Sequence, residues 1–318
     1  MKKLLVVLAA AALLGLGLTL LPASGSDERV EVSVPAGSGS RAIAHSLATA
    51  GAVRSAFAFR LACFFSGKGG KLKAGDYEVP KNLNAWGMVD ILVSGKALQH
   101  RFLIPEGLAA SQIAALLEEK KLASGARFLK LVKQRKLEGY LFPDSYQFAR
   151  GVPEESLINM MLARFKEKVP EALLARGARF NLKPLQVLTL ASLIEKEARA
   201  EDERPKVARV FLNRRKQKKR LESCATVRYA LNKYKGPVLF KDLDVDSPYN
   251  TYRHYDLPPG PICSPGLKSI EAAANPAEGD WMFFVVAGDG TQIFSSSFEE
   301  HKKAKLRYKR LKKGVVEE

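Results

Sequence analysis

The chain has 318 residues, 51 of them Lys or Arg against 33 Asp or Glu, a net charge of +18. That length allows two domains of ordinary size, and the charge favours an anionic polymer or surface without choosing among nucleic acid, lipid and an acidic glycan. Three cysteines at long spacings (Cys63, Cys224, Cys263) make neither a zinc site nor a disulfide framework, and four scattered histidines argue against a metal centre, so no metal or cofactor is expected.

Lys2 and Lys3 precede an uncharged run from Leu4 to Leu21. As a helix this run spans roughly 27 Å, close to the ~30 Å of a bilayer core. Lysines before it and Asp27 and Glu28 after it place the N-terminus in the cytoplasm and the rest of the chain outside. The rival is a signal peptide cleaved near Ala23-Ser24-Gly25. The run exceeds a usual apolar signal region of about 7–15 residues, which favours an uncleaved single-pass anchor. Either way the bulk is exported, which disfavours nucleic acid as a partner.

Residues 1–26 are read as cytoplasmic start, anchor and joint. Val30–Val34 alternates with period two, a strand signal. Ser40 caps a helix carrying Ile43, Leu47 and Ala50, which Gly51 ends, and a second helix runs from Ser55 to about Phe65. Lys73–Val79 reads as a turn into a strand closed by Pro80, Asn84 caps a helix through Leu92 that Gly95 ends, and Gln99–Ile104 is a further strand. Residues 27–104 thus form a small α+β module.

Pro105-Glu106-Gly107 opens a larger mixed α/β domain, residues 105–318. Helices are predicted over Ser111–Leu122, Phe128–Val132, Glu154–Lys168, from Pro184, over Arg204–Lys219, Ser269–Ala274 and Lys302–Lys313. Glu138–Tyr146 reads as an aromatic loop and Ser247–Pro265 as irregular. Trp281–Ala287 and Gln292–Ser295 read as a hairpin around Gly288-Asp289-Gly290. Lys206–Arg220 carries eight basic residues in fifteen, which suits a solvated helix face near anionic headgroups.

The helix from Pro184 holds two acids in an apolar pattern, Glu195 and Glu197. At about 100° per residue Leu188 and Ala191 fall within about 40° of Glu195, while Glu197 lies on the far flank near Leu190 and Leu193. A carboxyl on an apolar face is costly to ionise, which is what a proton-donating acid needs at neutral pH. The bland reading pairs each Glu with a neighbouring base such as Lys196 or Arg199. Tyr249, Asn250, Thr251 and Tyr252 form a second feature. Aromatic faces and amide and hydroxyl groups on an irregular segment suit a sugar polymer. The following Leu257–Ile262, rich in proline, stiffens it.

Taken together, LEGYLFPDSYQF (137–148), LASLIEKEA (190–198), VFLNRR (210–215), SPYNTYR (247–253), LPPGPICSPG (257–266) and AAANPA (272–277) resemble the endolytic murein transglycosylases, the YceG-like proteins. The N-terminal module resembles that family's LysM-like subdomain. The resemblance implies cleavage of the β-1,4 bond between N-acetylmuramic acid and N-acetylglucosamine within nascent peptidoglycan, leaving 1,6-anhydro ends and terminating glycan elongation. It implies a catalytic glutamate matching Glu195, with Glu197 the alternative. Tyr249, Asn250, Thr251 and Tyr252 would line the glycan cleft, with Glu138 a further contributor of unassigned role. It implies glycan strands and the membrane as partners, leaves peptidoglycan synthases open, and implies a single-pass inner-membrane protein with its catalytic domain outside the cytoplasm. Many members carry an acid and a proline in a QSDPTV-type segment. Here Glu222–Val227 reads ESCATV, so Cys224 stands in place of that acid. A hydrolytic muramidase with a second acid such as Glu138 or Asp144 facing Glu195, or a non-catalytic peptidoglycan-binding or scaffold protein, stays open as an alternative.

Overall fold

In β1 (Arg29–Val34) the period-two pattern buries Val32 and Val34 and leaves Glu31 and Ser33 exposed. The computed structural model describes residues 17, 21–35, 37–287 and 291–312, and these divide between two units. The first takes in the chain through Phe102, Glu118–Ala123 and Ser145–Glu154. There β1 leads to α1 (Ser40–Thr49), α2 (Ala56–Phe65), β2 (Gly75–Pro80), α3 (Ala85–Ser94), β3 (Gln99–Leu103) and, later in the chain, β4 (Ser145–Ala149). β1 and β2 run antiparallel with Val32 opposite Tyr77, and β3 pairs with β4. Tyr77 is fully buried and places its hydroxyl on the Lys73 carbonyl at 2.8 Å, the partner that a buried phenol needs. Caps set the helix starts: Ser55 Oγ accepts from the Phe57 and Ala58 amides, and Asn84 Oδ1 from Gly87. Gly95 ends α3 in the left-handed region at φ 72°.

The second unit comprises Leu103–Leu117, Ser124–Asp144 and the chain from Glu155 onward. Its helices are α4 (Ala110–Glu119), α5 (Gly125–Gln134), α6 (Glu154–Lys168), α7 (Glu171–Ala175), α8 (Pro184–Glu197), α9 (Arg204–Lys216), α10 (Cys224–Ala230), α11 (Leu267–Ala274) and α12 (Phe298–Lys312). A hairpin, β5 (Phe283–Val286) with β6 (Gln292–Ser295), completes it, its expected turn at 288–290 lying outside the described residues. α8 is the axis of this unit. Every residue from Val187 to Ile194 is buried, and α7, α9, α10 and α11 pack around it. Pro184 at its first turn costs no hydrogen bond. Thr189 and Ser192 satisfy their hydroxyls on the Leu185 and Thr189 carbonyls.

The fold is mixed α+β, built of helices and small antiparallel sheets. β4, α7 and α10 are elements the sequence pattern did not predict. The expected anchor, 4–21, lies almost wholly outside the described residues, and no helix among the described residues is long and apolar enough to cross a membrane. From Val187 to Ile194 the helix has no solvated flank. The wheel comparison of Glu195 with Glu197 presumed one, so it does not separate them.

Candidate active site

α8 ends at Glu197, and its last carbonyls are held from outside the helix. The Ala198 amide donates to Ile194 O at 2.8 Å, and Gln292 Nε2 to Glu197 O at 2.8 Å. Glu203 is buried and closes the next turn, its carboxylate accepting from the Arg199, Ala200 and Gln292 amides. The hairpin and this turn therefore fix the backbone on which both candidate acids sit.

The two acids meet different surroundings. Glu195 Oε2 accepts from the Gly266 amide at 3.1 Å and from Ser269 Oγ at 2.8 Å. Both donors belong to the start of α11, and Arg204 Nη2 lies 3.9 Å from Oε1. Glu106 sits beside this carboxylate; burial first, and then the charge of Glu195, push the Glu106 carboxyl up from its ordinary range. Glu195 thus acts as a side-chain tie on α11, stabilising orphan amides at a helix start.

Glu197 faces the other way, onto a cavity of about 350 Å³ lined by Gly107, Gln112, Lys196, Cys224, Arg228 and Tyr234, among others. Ser223 Oγ donates to its Oε1 at 2.5 Å, and the Ala225 backbone amide also bonds to the carboxyl. Burial raises its pKa, while those two bonds and the positive charges of Arg214 and Lys196 pull the other way. Arg214 also builds the segment that carries Ser223: its guanidinium donates to Leu221 O at 2.9 Å and Met282 O at 2.8 Å. Lys196 Nζ donates to Gly107 O at 3.1 Å, and Gly107 and Leu108 are zipped to Ser264 by two backbone bonds, which forms another wall. A larger cavity, about 860 Å³ between α6–α7 and α11, is lined by neither acid.

Glu138 lies in the same unit, enclosed. Its oxygens accept from the Ala110 amide at 3.0 Å and the Tyr229 hydroxyl at 3.1 Å, and burial pushes its carboxyl up to about 7. Next to it Gly139 holds φ 85° and lies against Pro261 so closely that a Cβ there would overlap the ring. The Tyr249 ring lies tilted against that of Tyr229, centroids 4.8 Å apart, and the Tyr252 hydroxyl meets Cys224 Sγ at 3.0 Å. Asn250 and Thr251 are different: both are fully buried. Asn250 Nδ2 donates to Leu243 O and Val245 O, and Thr251 Oγ1 accepts from the Ser223 amide and bonds Thr226 Oγ1. Neither has surface left to line a glycan cleft, which corrects that expectation for this pair; they hold the loop and, through Ser223, the donor to Glu197. The sequence reading missed Ser223, Tyr229 and Tyr234. Ser223 lies in the ESCATV segment, where Cys224 is the residue that departs from the family pattern, and the two tyrosines carry no local signal.

A mixed α+β protein with a partly buried carboxyl at the end of its central helix, facing a polar cleft, is a class that suits acid chemistry on a polymer. The sequence profile of the YceG-like family matches residues 32–307, and the chain belongs to that family. The chain is 34% identical over 311 residues to the endolytic murein transglycosylase of Bacillus subtilis, covering 89% of this chain and 86% of that one. It is 28% identical over 327 residues to the enzyme of the same name from Streptococcus pneumoniae R6, of whose length it spans 59%. A crystal structure of a YceG-like protein from Listeria monocytogenes matches with a TM-score of 0.59 at 32% identity, over 87% of this chain and 99% of that one.

Proposed function

We propose that the chain is an endolytic murein transglycosylase, a lyase that cuts the N-acetylmuramic acid to N-acetylglucosamine bond within peptidoglycan strands. The observation that carries the mechanism is Glu197, a carboxyl of raised pKa on the cleft, held by Ser223. Glu195 was the first choice on sequence, but its bonds to α11 engage it in the structure of the unit. One carboxyl serves both steps. Protonated Glu197 donates to the glycosidic oxygen as the C1–O4 bond breaks. The carboxylate then takes the proton from the muramic acid C6 hydroxyl as the O6–C1 bond closes the anhydro ring, which restores the acid. The sugar hydroxyl stands in for water, so the second carboxylate of a hydrolase is dispensable. Tyr249 and Tyr252 supply aromatic surface, and Cys224 and Arg228 polar groups. Residues 1–26 act as the membrane anchor, residues 27–104 as a LysM-like module and residues 105–318 as the catalytic domain facing the periplasm or exterior. Peptidoglycan synthases are its candidate protein partners.

Mass spectrometry of products from uncrosslinked glycan strands tests the reaction. Anhydro-muramic ends are expected; reducing ends would mean a hydrolase, and uncut strands a binding protein. Ser223→Ala tests the positioning of the acid. The hydroxyl favours the ionised carboxyl, so its loss raises the Glu197 pKa further. The alkaline limb of the rate profile should move to higher pH, with kcat lowered about tenfold, the value of one such bond of ~1.4 kcal/mol. An unmoved limb would show that Ser223 does not act on the acid.

A further inference from the structure

α2 is apolar on both sides. Ala58, Phe59, Ala62 and Cys63 are buried, as a packed helix requires. On the opposite side Phe57 is 58% exposed, Phe64 77% and Phe65 70%. At about 100° per residue, Phe57, Arg60, Leu61, Phe64 and Phe65 fall in one stripe on the side away from the buried face. Phe57, Arg60, Leu61 and Phe64 also line a shallow cavity of about 460 Å³. A grouped set of exposed phenylalanines in a small module marks an interaction surface.

The charge around the stripe identifies its partner. From Arg54 to Lys73 there are five basic residues and no Asp, Glu, Asn or Gln. Lys68 pairs with Asp90, leaving Arg54, Arg60, Lys71 and Lys73 as cations that no acid in this segment offsets. A sugar polymer wants amides and acids beside its aromatic rings; phenyl rings ringed by cations suit lipid headgroups over an acyl layer. The chain path agrees. Arg54, one residue before the Ser55 cap of α2, donates from Nε to Pro22 O at 2.6 Å. The segment that leaves residues 1–20 is therefore tied to the start of α2.

We infer that the Phe57–Phe64–Phe65 stripe of α2 docks on an anionic bilayer surface beside the anchor and lays the N-terminal module against the membrane. The inference rests on the anchor proposed above. Helices of this kind insert their apolar face about 5–10 Å into the headgroup and acyl boundary.

The test uses the full chain in vesicles of phosphatidylglycerol and phosphatidylcholine, with Phe64→Trp as the reporter and Trp86 and Trp281 replaced by Phe. Lipids brominated near the headgroup end of the chain are expected to quench the reporter severalfold more than lipids brominated at the chain end, with a blue shift relative to detergent. A second readout needs no substitution: a lipid carrying a headgroup diazirine should label the peptide 54–68 of the unaltered chain on irradiation. A chain that floats with the vesicles after an alkaline wash but is neither quenched nor labelled overturns the docking and leaves the anchor standing. A chain that does not float overturns both. A blue shift produced by soluble glycan strands without lipid would assign the stripe to sugar, and one that grows with protein concentration in detergent would assign it to a second copy; either overturns the lipid assignment.

Discussion

Glu197→Gln is expected to lower the rate of anhydro-end formation by about 10²- to 10⁴-fold, the usual contribution of a general acid, with little change in folding. Glutamine keeps an oxygen for Ser223 Oγ, so the local structure survives, but it has no proton to give to the leaving oxygen. Glu195→Gln should behave in the opposite sense. It weakens a carboxylate that accepts from Gly266 and Ser269 and lies near Arg204, so it should cost about 1–3 kcal/mol of stability, as charged hydrogen bonds do, while activity at moderate temperature stays within about tenfold. Rates from product mass spectrometry and unfolding followed by circular dichroism separate the two variants. An active Glu197→Gln beside a folded, inactive Glu195→Gln would return the acid to Glu195.

The second large effect concerns Glu138. Its folded pKa stands near 7 against an ordinary 4.5, a difference of 2.5 that corresponds to about 3 kcal/mol. The pKa is raised on folding, so the folded state holds its proton more tightly than the unfolded one. This contribution is fully present below pH ~4.5 and is lost as pH rises to ~7. Glu138→Gln mimics the protonated acid: it accepts from the Ala110 amide and can donate to the Tyr229 oxygen. Denaturant unfolding at a series of pH values should show the parent falling below the variant between pH ~4.5 and ~7, with the gap levelling off near 3 kcal/mol above that. A constant gap across the range would mean that Glu138 does not change its protonation on folding.

The N-terminal module was largely legible because its signals are local. The alternation of Val30–Val34, the caps at Ser55 and Asn84 and the glycine stop at Gly95 each act within a few residues. β4 is not legible although Tyr146 and Phe148 are buried on either side of the exposed Gln147, because the preceding FPD is a turn signal. α10 has seven residues, of which only Thr226 and Val227 are buried, too short to show a period. In the site, the sequence narrows the acid to Glu195 or Glu197 and favours Glu195. Choosing between them depends on Gly266 and Ser269 reaching Glu195 from about seventy residues away, and on Ser223 reaching Glu197. SPYNTYR misled for a related reason: amide and hydroxyl groups bond a sugar or their own loop equally well, and burial alone decides which.

The enclosure of α8 also sets how long the parts of the site persist. A helix buried from Val187 to Ile194 is expected to be among the last parts of its unit to open, and Glu197 hangs from its end. Its donor Ser223 precedes a seven-residue helix in which only Thr226 and Val227 are buried, so fewer packed side chains hold it. On warming, the acid should keep its place after its hydrogen-bond partner has left, and turnover should fade before the core melts.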